Sequence, residues 1–174
     1  MKELMIPLMA SSLLLCSTQV LSQAQVEINW EKPEQYRDVR PTSESRSRFR
    51  DQTFSQLEEY LQKLAEQLPT GQKLSINVTN LDLAGQVWPA SFVGFGSSSN
   101  DVRVVKNIDI PRMSFSYTLT DKTGAVVQQA DIDLKDMAFM DRSNRFFDSE
   151  SLRYEKNMLK NWFEDEFPAL TVKN

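Results

Sequence analysis

The chain has no histidine and a single cysteine, Cys16, among its 174 residues. Without imidazole there is no Ser-His-Asp or Cys-His catalysis, no side chain that ordinarily titrates near pH 7, and little means of holding zinc or haem. No apolar run reaches the roughly 20 residues that a membrane-spanning helix needs. Cations are not in excess either. Twenty Lys and Arg stand against 24 Asp and Glu, and a net charge of −4 argues against nucleic acid, whose phosphates need clustered Lys and Arg. What remains is the composition of a folded protein, 40% hydrophobic and 25% charged. At this length a single domain is expected, burying about two thirds of its unfolded surface.

Met1-Lys2-Glu3 precedes an apolar stretch from Leu4 to Leu15, and a polar stretch then ends in Ser22-Gln23-Ala24. Small residues three and one before a junction suit signal peptidase, so residues 1–24 read as a signal peptide cleaved after Ala24. Residues 25–174 would then form one periplasmic or secreted domain without a transmembrane span. A lipid anchor at Cys16 is the alternative, and it is disfavoured because the bulky Leu15 occupies the position where that signal has a small residue. The mature chain would lack Cys as well as His, leaving no disulfide to support the core.

Val26-Glu27-Ile28-Asn29-Trp30 alternates and predicts a strand. From Ser43 to Leu68, Phe54, Leu57, Leu61, Leu64 and Leu68 recur at spacings of three and four, an amphipathic helix stopped by Pro69 and Gly71. Leu74, Ile76 and Val78 alternate with polar residues before the parity slips to Leu81 and Leu83, which predicts a bulge near Thr79 or Asn80. Gln86 to Asn100 reads as a long irregular tongue, and Val102 to Ile110 fits an extended segment or a loop. Met113 to Thr120 and Val126 to Leu134 alternate about Asp121-Lys122-Thr123-Gly124, a hairpin. A second apolar stripe, from Leu152 to Phe167, closes the chain as a helix. The expected fold is α+β: a two-layer sandwich with a mixed sheet of about four strands, two helices on one face and a wet polar face opposite.

Leu81-Asp82-Leu83-Ala84-Gly85, Arg103-Val104-Val105-Lys106 with Pro111-Arg112, and Tyr154-Glu155-Lys156 with Trp162-Phe163 together resemble one family. It is the exported proteobacterial proteins called domain of unknown function 3016. The resemblance covers nearly the whole of the expected mature chain, and implies a periplasmic or secreted single-domain protein with no reaction, cofactor or catalytic residue to carry over.

Three groups of residues could carry chemistry. Asp131, Asp133 and Asp136 form an acidic run that could hold a hard cation, but a strand repeat of about 7 Å separates the first two and no glycine-bearing loop wraps them. A carboxylate-dependent hydrolase is the corresponding enzymatic alternative, although no spacing brings two acids together. Arg37, Arg40, Arg46, Arg48 and Arg50 are interleaved with Asp38, Glu44 and Asp51, the pattern of a solvated face. The third group is aromatic. If the tongue joins antiparallel strands, the loops leaving one sheet edge carry Trp30 with Tyr36, Trp88 with Phe92 and Phe95, and Phe146 with Phe147 beside Arg142 and Arg145. Aromatic and arginine side chains anchor interfaces, and loops on a rigid sheet usually carry binding. The rings could equally turn inward to cap the core. The reading is a non-enzymatic module, without cofactor, that contacts an envelope protein or an extended peptide through that edge.

Overall fold

The computed structural model of the chain describes residues 23–94, 100–141 and 150–168. Strand β1 (Gln25–Trp30) leads through a loop with a 3-10 turn (Pro33–Gln35) to helix α1 (Arg46–Ala65), then β2 (Lys73–Asp82), β3 (Gln86–Pro89), β4 (Asp101–Val104), β5 (Arg112–Thr120), β6 (Val126–Lys135) and α2 (Arg153–Glu166). Four strands form a mixed sheet in the order β1-β2-β5-β6, with β1 parallel to β2 and the other pairs antiparallel. The fold is the expected α+β sandwich. Strands β1, β2 and β6 therefore all end on one edge.

Helix α1 begins where Ser45 Oγ accepts the Arg48 N–H at 3.3 Å. It buries Phe54, Leu57, Tyr60, Leu61 and Leu64 along one stripe. These meet the alternate residues Leu74, Ile76 and Val78 of β2 and Met113, Phe115, Tyr117 and Leu119 of β5 in one core with Met158, Leu159, Trp162 and Phe163 of α2. The opposite sheet face carries half-exposed Ser75, Asn77, Ser114, Ser116 and Thr118. The register of β2 against β5 shifts between Val78 and Asn80. That bulge flips the side-chain parity and turns Leu81 back into the core. At the hairpin, Asp121 Oδ1 accepts from Thr123 N, Thr123 Oγ1 and Ala125 N at 2.6–3.0 Å.

The expected irregular tongue is corrected in part. Gln86–Pro89 pairs antiparallel with Asp101–Val104 in a separate two-stranded ribbon. Four-residue strands joined by a non-local connection leave no readable period, so propensity alone could not show them. Because the ribbon stands apart from the main sheet, it leaves the direction of β5 and β6 unchanged. Residues 105–110 of the Val102–Ile110 stretch are not strand. Among the described residues no helix is long and apolar enough to cross a membrane. Residues 1–22, with Cys16, lie outside the described residues.

Candidate functional site

The edge where β1, β2 and β6 end is built around one guanidinium. Arg103, on β4, donates from Nη1 to Asp38 Oδ2 at 2.6 Å and to the carbonyls of Ala84 and Gly85 at 3.2 Å. From Nη2 it donates to the carbonyls of Asp38 and Arg40 at 3.0 and 3.1 Å. One planar fork thus ties the loop after β1, the β2–β3 turn and the ribbon. Glu155, near the start of α2 and 3% exposed, adds a further tie by accepting the Ala84 N–H at 2.7 Å. Burial raises its pKa above the ordinary value, partly offset by that N–H and by Arg103.

The turn itself needs glycine. Gly85 has φ +79, and a Cβ there would lie 2.6 Å from the Val104 carbonyl oxygen. Its N–H donates to the Asp109 carbonyl at 2.9 Å. Ala84, Ile110 and Phe139 form a small second core beside it, with Tyr154 edge-on to Phe139 at 4.8 Å.

Above this knot opens a polar cleft of about 920 Å³, with Arg37, Arg40, Asp82, Asp109 and Arg112 among its lining residues. Asp82 and Arg112 are cross-strand partners at the ends of β2 and β5. Burial and the neighbouring Asp38 raise the Asp82 pKa, against the pull of Arg37, Arg112 and Arg103. Asp38 is neutralised by Arg103, so three guanidiniums face two carboxylates, one of them pushed toward its neutral form. Among the described residues, the side chains of Arg37, Arg40 and Arg112 have no ion pair or hydrogen-bond partner.

The aromatic candidates are placed differently from one another. Trp30 stacks on Phe54 of α1 at 3.9 Å and 5°, and its Nε1 donates to Glu58 at 2.6 Å. Tyr36 is buried, and its hydroxyl donates to the Val78 carbonyl at 2.8 Å; burial and nearby Glu31 push it up to about 12. Both belong to the core end beside α1. Trp88 and Phe92 lie on or just past β3: Lys106 Nζ sits 5.0 Å over the Trp88 ring, and Phe92 is 78% exposed. Phe95, Arg142, Arg145, Phe146 and Phe147 lie outside the described residues.

The acidic run does not converge. Asp131 and Asp133 lie exposed on β6, where Asp133 accepts from Ser114 Oγ at 3.0 Å and pairs with Lys135. Asp136 is buried, and its Oδ1 accepts the Ala138 N–H at 3.2 Å. Among the described residues no group of three or more Cys, Asp or Glu side chains is placed to hold a metal ion.

Residue-level reasoning missed Arg103, Asp82, Arg112 and Glu155 as a site, although the short motifs of the family resemblance contain all four. Glu155 did carry a signal, since it falls three and four residues before Met158 and Leu159 on the buried stripe of α2. Among known families, the model described as protein of unknown function (DUF3016) matches residues 24–165. No curated protein and no solved structure matches the chain.

Proposed function

Because the chain belongs to the family of unknown function DUF3016, membership assigns it no reaction, and we propose from the geometry that it is a non-enzymatic binding module for an anionic ligand. The observation that carries this is the convergence of Arg37, Arg40 and Arg112, without ion-pair partners among the described residues, on a cleft whose walls Arg103 ties together. A guanidinium is a preformed fork for carboxylate or phosphate oxygens, and one held by a rigid frame loses little freedom on binding. Asp82, whose pKa burial raises, would accept a hydrogen bond from the ligand beside them. Trp88 on β3 and Phe92 in the turn just past it follow the Gln86–Val87 wall and would supply apolar contact beyond the cleft's rim. The module is exported: the apolar leader and the Ser22-Gln23-Ala24 junction support this, and β1 starting at Gln25 keeps every strand on the mature side of the cut. N-terminal sequencing of the periplasmic form checks that part.

Calorimetric titration with inorganic pyrophosphate and with citrate tests the binding. Saturable binding that weakens about tenfold in folded Arg37→Ala and again in Arg112→Ala, and weakens with added salt, is the expected result. Equal affinity in wild type and both variants, or no saturable binding of either anion, would overturn the reading.

A further inference from the structure

Strand β1 is an outer edge of the sheet, and backbone alternation decides which of its groups face outward. Gln25 N–H donates to the Gln72 carbonyl at 3.0 Å and Glu31 N–H to the Val78 carbonyl at 2.8 Å, so the odd-numbered residues pair with β2. The even-numbered peptide groups point to the open side. There the Gln62 side chain of α1 stands in for a neighbouring strand: its Oε1 accepts the Val26 N–H at 3.1 Å and, in the uncleaved chain, its Nε2 donates at 3.0 Å to the carbonyl of Ala24, a residue that the proposed cut removes. A primary amide offers the same donor and acceptor as a peptide group, and it satisfies only the first step of the row. The Val26 carbonyl, both backbone groups of Ile28 and the Trp30 N–H continue the row with no hydrogen bond among the described residues.

These open groups border a groove of about 510 Å³ between β1 and α1, lined by Val26, Ile28, Ser55, Glu58, Glu59 and Gln62. Its floor is aliphatic, its wall is acidic, and no cation among the described residues lines it. We propose that this edge binds an extended, Lys- or Arg-bearing peptide by strand addition. The backbone of such a peptide completes the ladder beyond Gln62; every second side chain faces α1, where apolar ones rest on Val26 and Ile28 and cationic ones meet Glu58 and Glu59, and the intervening side chains lie on the wet face. Charge selects this occupant over a second copy of the chain, whose β1 edge would bring its own Glu58 and Glu59 to the same acidic wall. The groove shares no residue with the arginine cleft, so the two readings stand or fall separately.

The test uses a labelled seven-residue peptide with valine and lysine taking turns at the odd positions and serine at the even ones, so that both face α1, with two controls: its glutamate–valine counterpart, and the same peptide methylated on its backbone nitrogens. Fluorescence anisotropy gives affinity, and amide exchange followed by NMR gives location. The lysine–valine peptide is expected to bind, to slow exchange at Ile28 and Trp30, and to weaken about tenfold in Glu59→Lys, while both control peptides bind poorly. Arg37→Ala is expected to leave this binding unchanged. The proposal is overturned if the methylated peptide binds equally well or exchange at Ile28 and Trp30 does not change. It is equally overturned if those amides are already protected in a concentration-dependent dimer, which would assign the edge to a second copy.

Discussion

The two ends of this molecule hold together by different physics. Where the helices cover the sheet, stability comes from hydrocarbon: Leu57, Leu61, Leu74, Leu81, Leu159 and Phe163 are all fully buried within one continuous core. Where β1, β2 and β6 end, the second core among the described residues is Ala84, Ile110 and Phe139, and the loops are joined by Arg103, Asp38 and Glu155. Apolar packing is non-directional and tolerates small adjustments of shape. A guanidinium fork accepts only one arrangement of its acceptors. The difference teaches why a cleft lined by Arg37, Arg40 and Arg112 sits over the polar knot: that knot sets the positions of the loops that carry Arg37 and Arg40.

Substitutions that separate the two regions sharpen this contrast, and the largest loss belongs to the apolar layer. Phe163→Ala should cost about 3–5 kcal/mol in chemical denaturation by opening a cavity, while anion affinity of the folded fraction stays unchanged. Arg103→Ala should cost about 2–3 kcal/mol, because Asp38 is left with an uncompensated charge and three other residues' carbonyls lose a donor. The figure stays below that of a fully buried pair since both side chains keep some solvent contact. Unlike the core variant, Arg103→Ala should also weaken pyrophosphate binding, and Arg103→Lys should restore charge without restoring the fork. If Arg103→Ala binds anions as wild type does, the knot is not what positions the cleft.

Gly85→Ala comes next, with about 1–2 kcal/mol from the left-handed backbone alone, besides the crowding against Val104; thermal unfolding measures it. Glu155 then distinguishes charge from hydrogen bonding. Its folded pKa is raised, so its favourable contribution is complete below the ordinary value of 4.5 and is lost as pH rises through the raised one. Glu155→Gln keeps an acceptor for the Ala84 N–H and should flatten that part of the stability–pH curve. Glu155→Ala should flatten that limb too, but it orphans the N–H and should cost about 1–3 kcal/mol below the ordinary value, a cost that shrinks as pH rises through the raised one. Asp121 gives the smallest effect and the opposite sign. Its bonds to Thr123 and Ala125 lower its pKa, so the turn's contribution is present above 3.8 and fades as pH falls through the lower folded value. Asp121→Ala should lower stability above that pH and remove the acid limb from the denaturation profile.

Much of the apolar half was readable in order along the chain. The three-and-four spacing from Phe54 to Leu68 marked α1, and the parity slip after Val78 marked the bulge that the register shift locates. The alternation about Asp121 marked the hairpin. Each is a local period, visible because neighbouring residues share one environment. The polar half had no such period. Arg37 and Arg40 looked like members of a solvated charge run, and Trp30 and Tyr36 looked equally fit for a rim or a core end. Their partners, Phe54, Glu58 and Val78, lie far along the chain.

By itself, then, the order of residues determined the two helices, the four strands of the main sheet, its covered face and the absence of imidazole chemistry, because hydrophobic period and composition are properties of short windows. Only the tertiary structure decided that Arg103 would reach Asp38 across 65 positions and Glu155 reach Ala84 across 71. Directional hydrogen bonds between distant segments leave no periodic trace, since a single residue at each end is enough to make them.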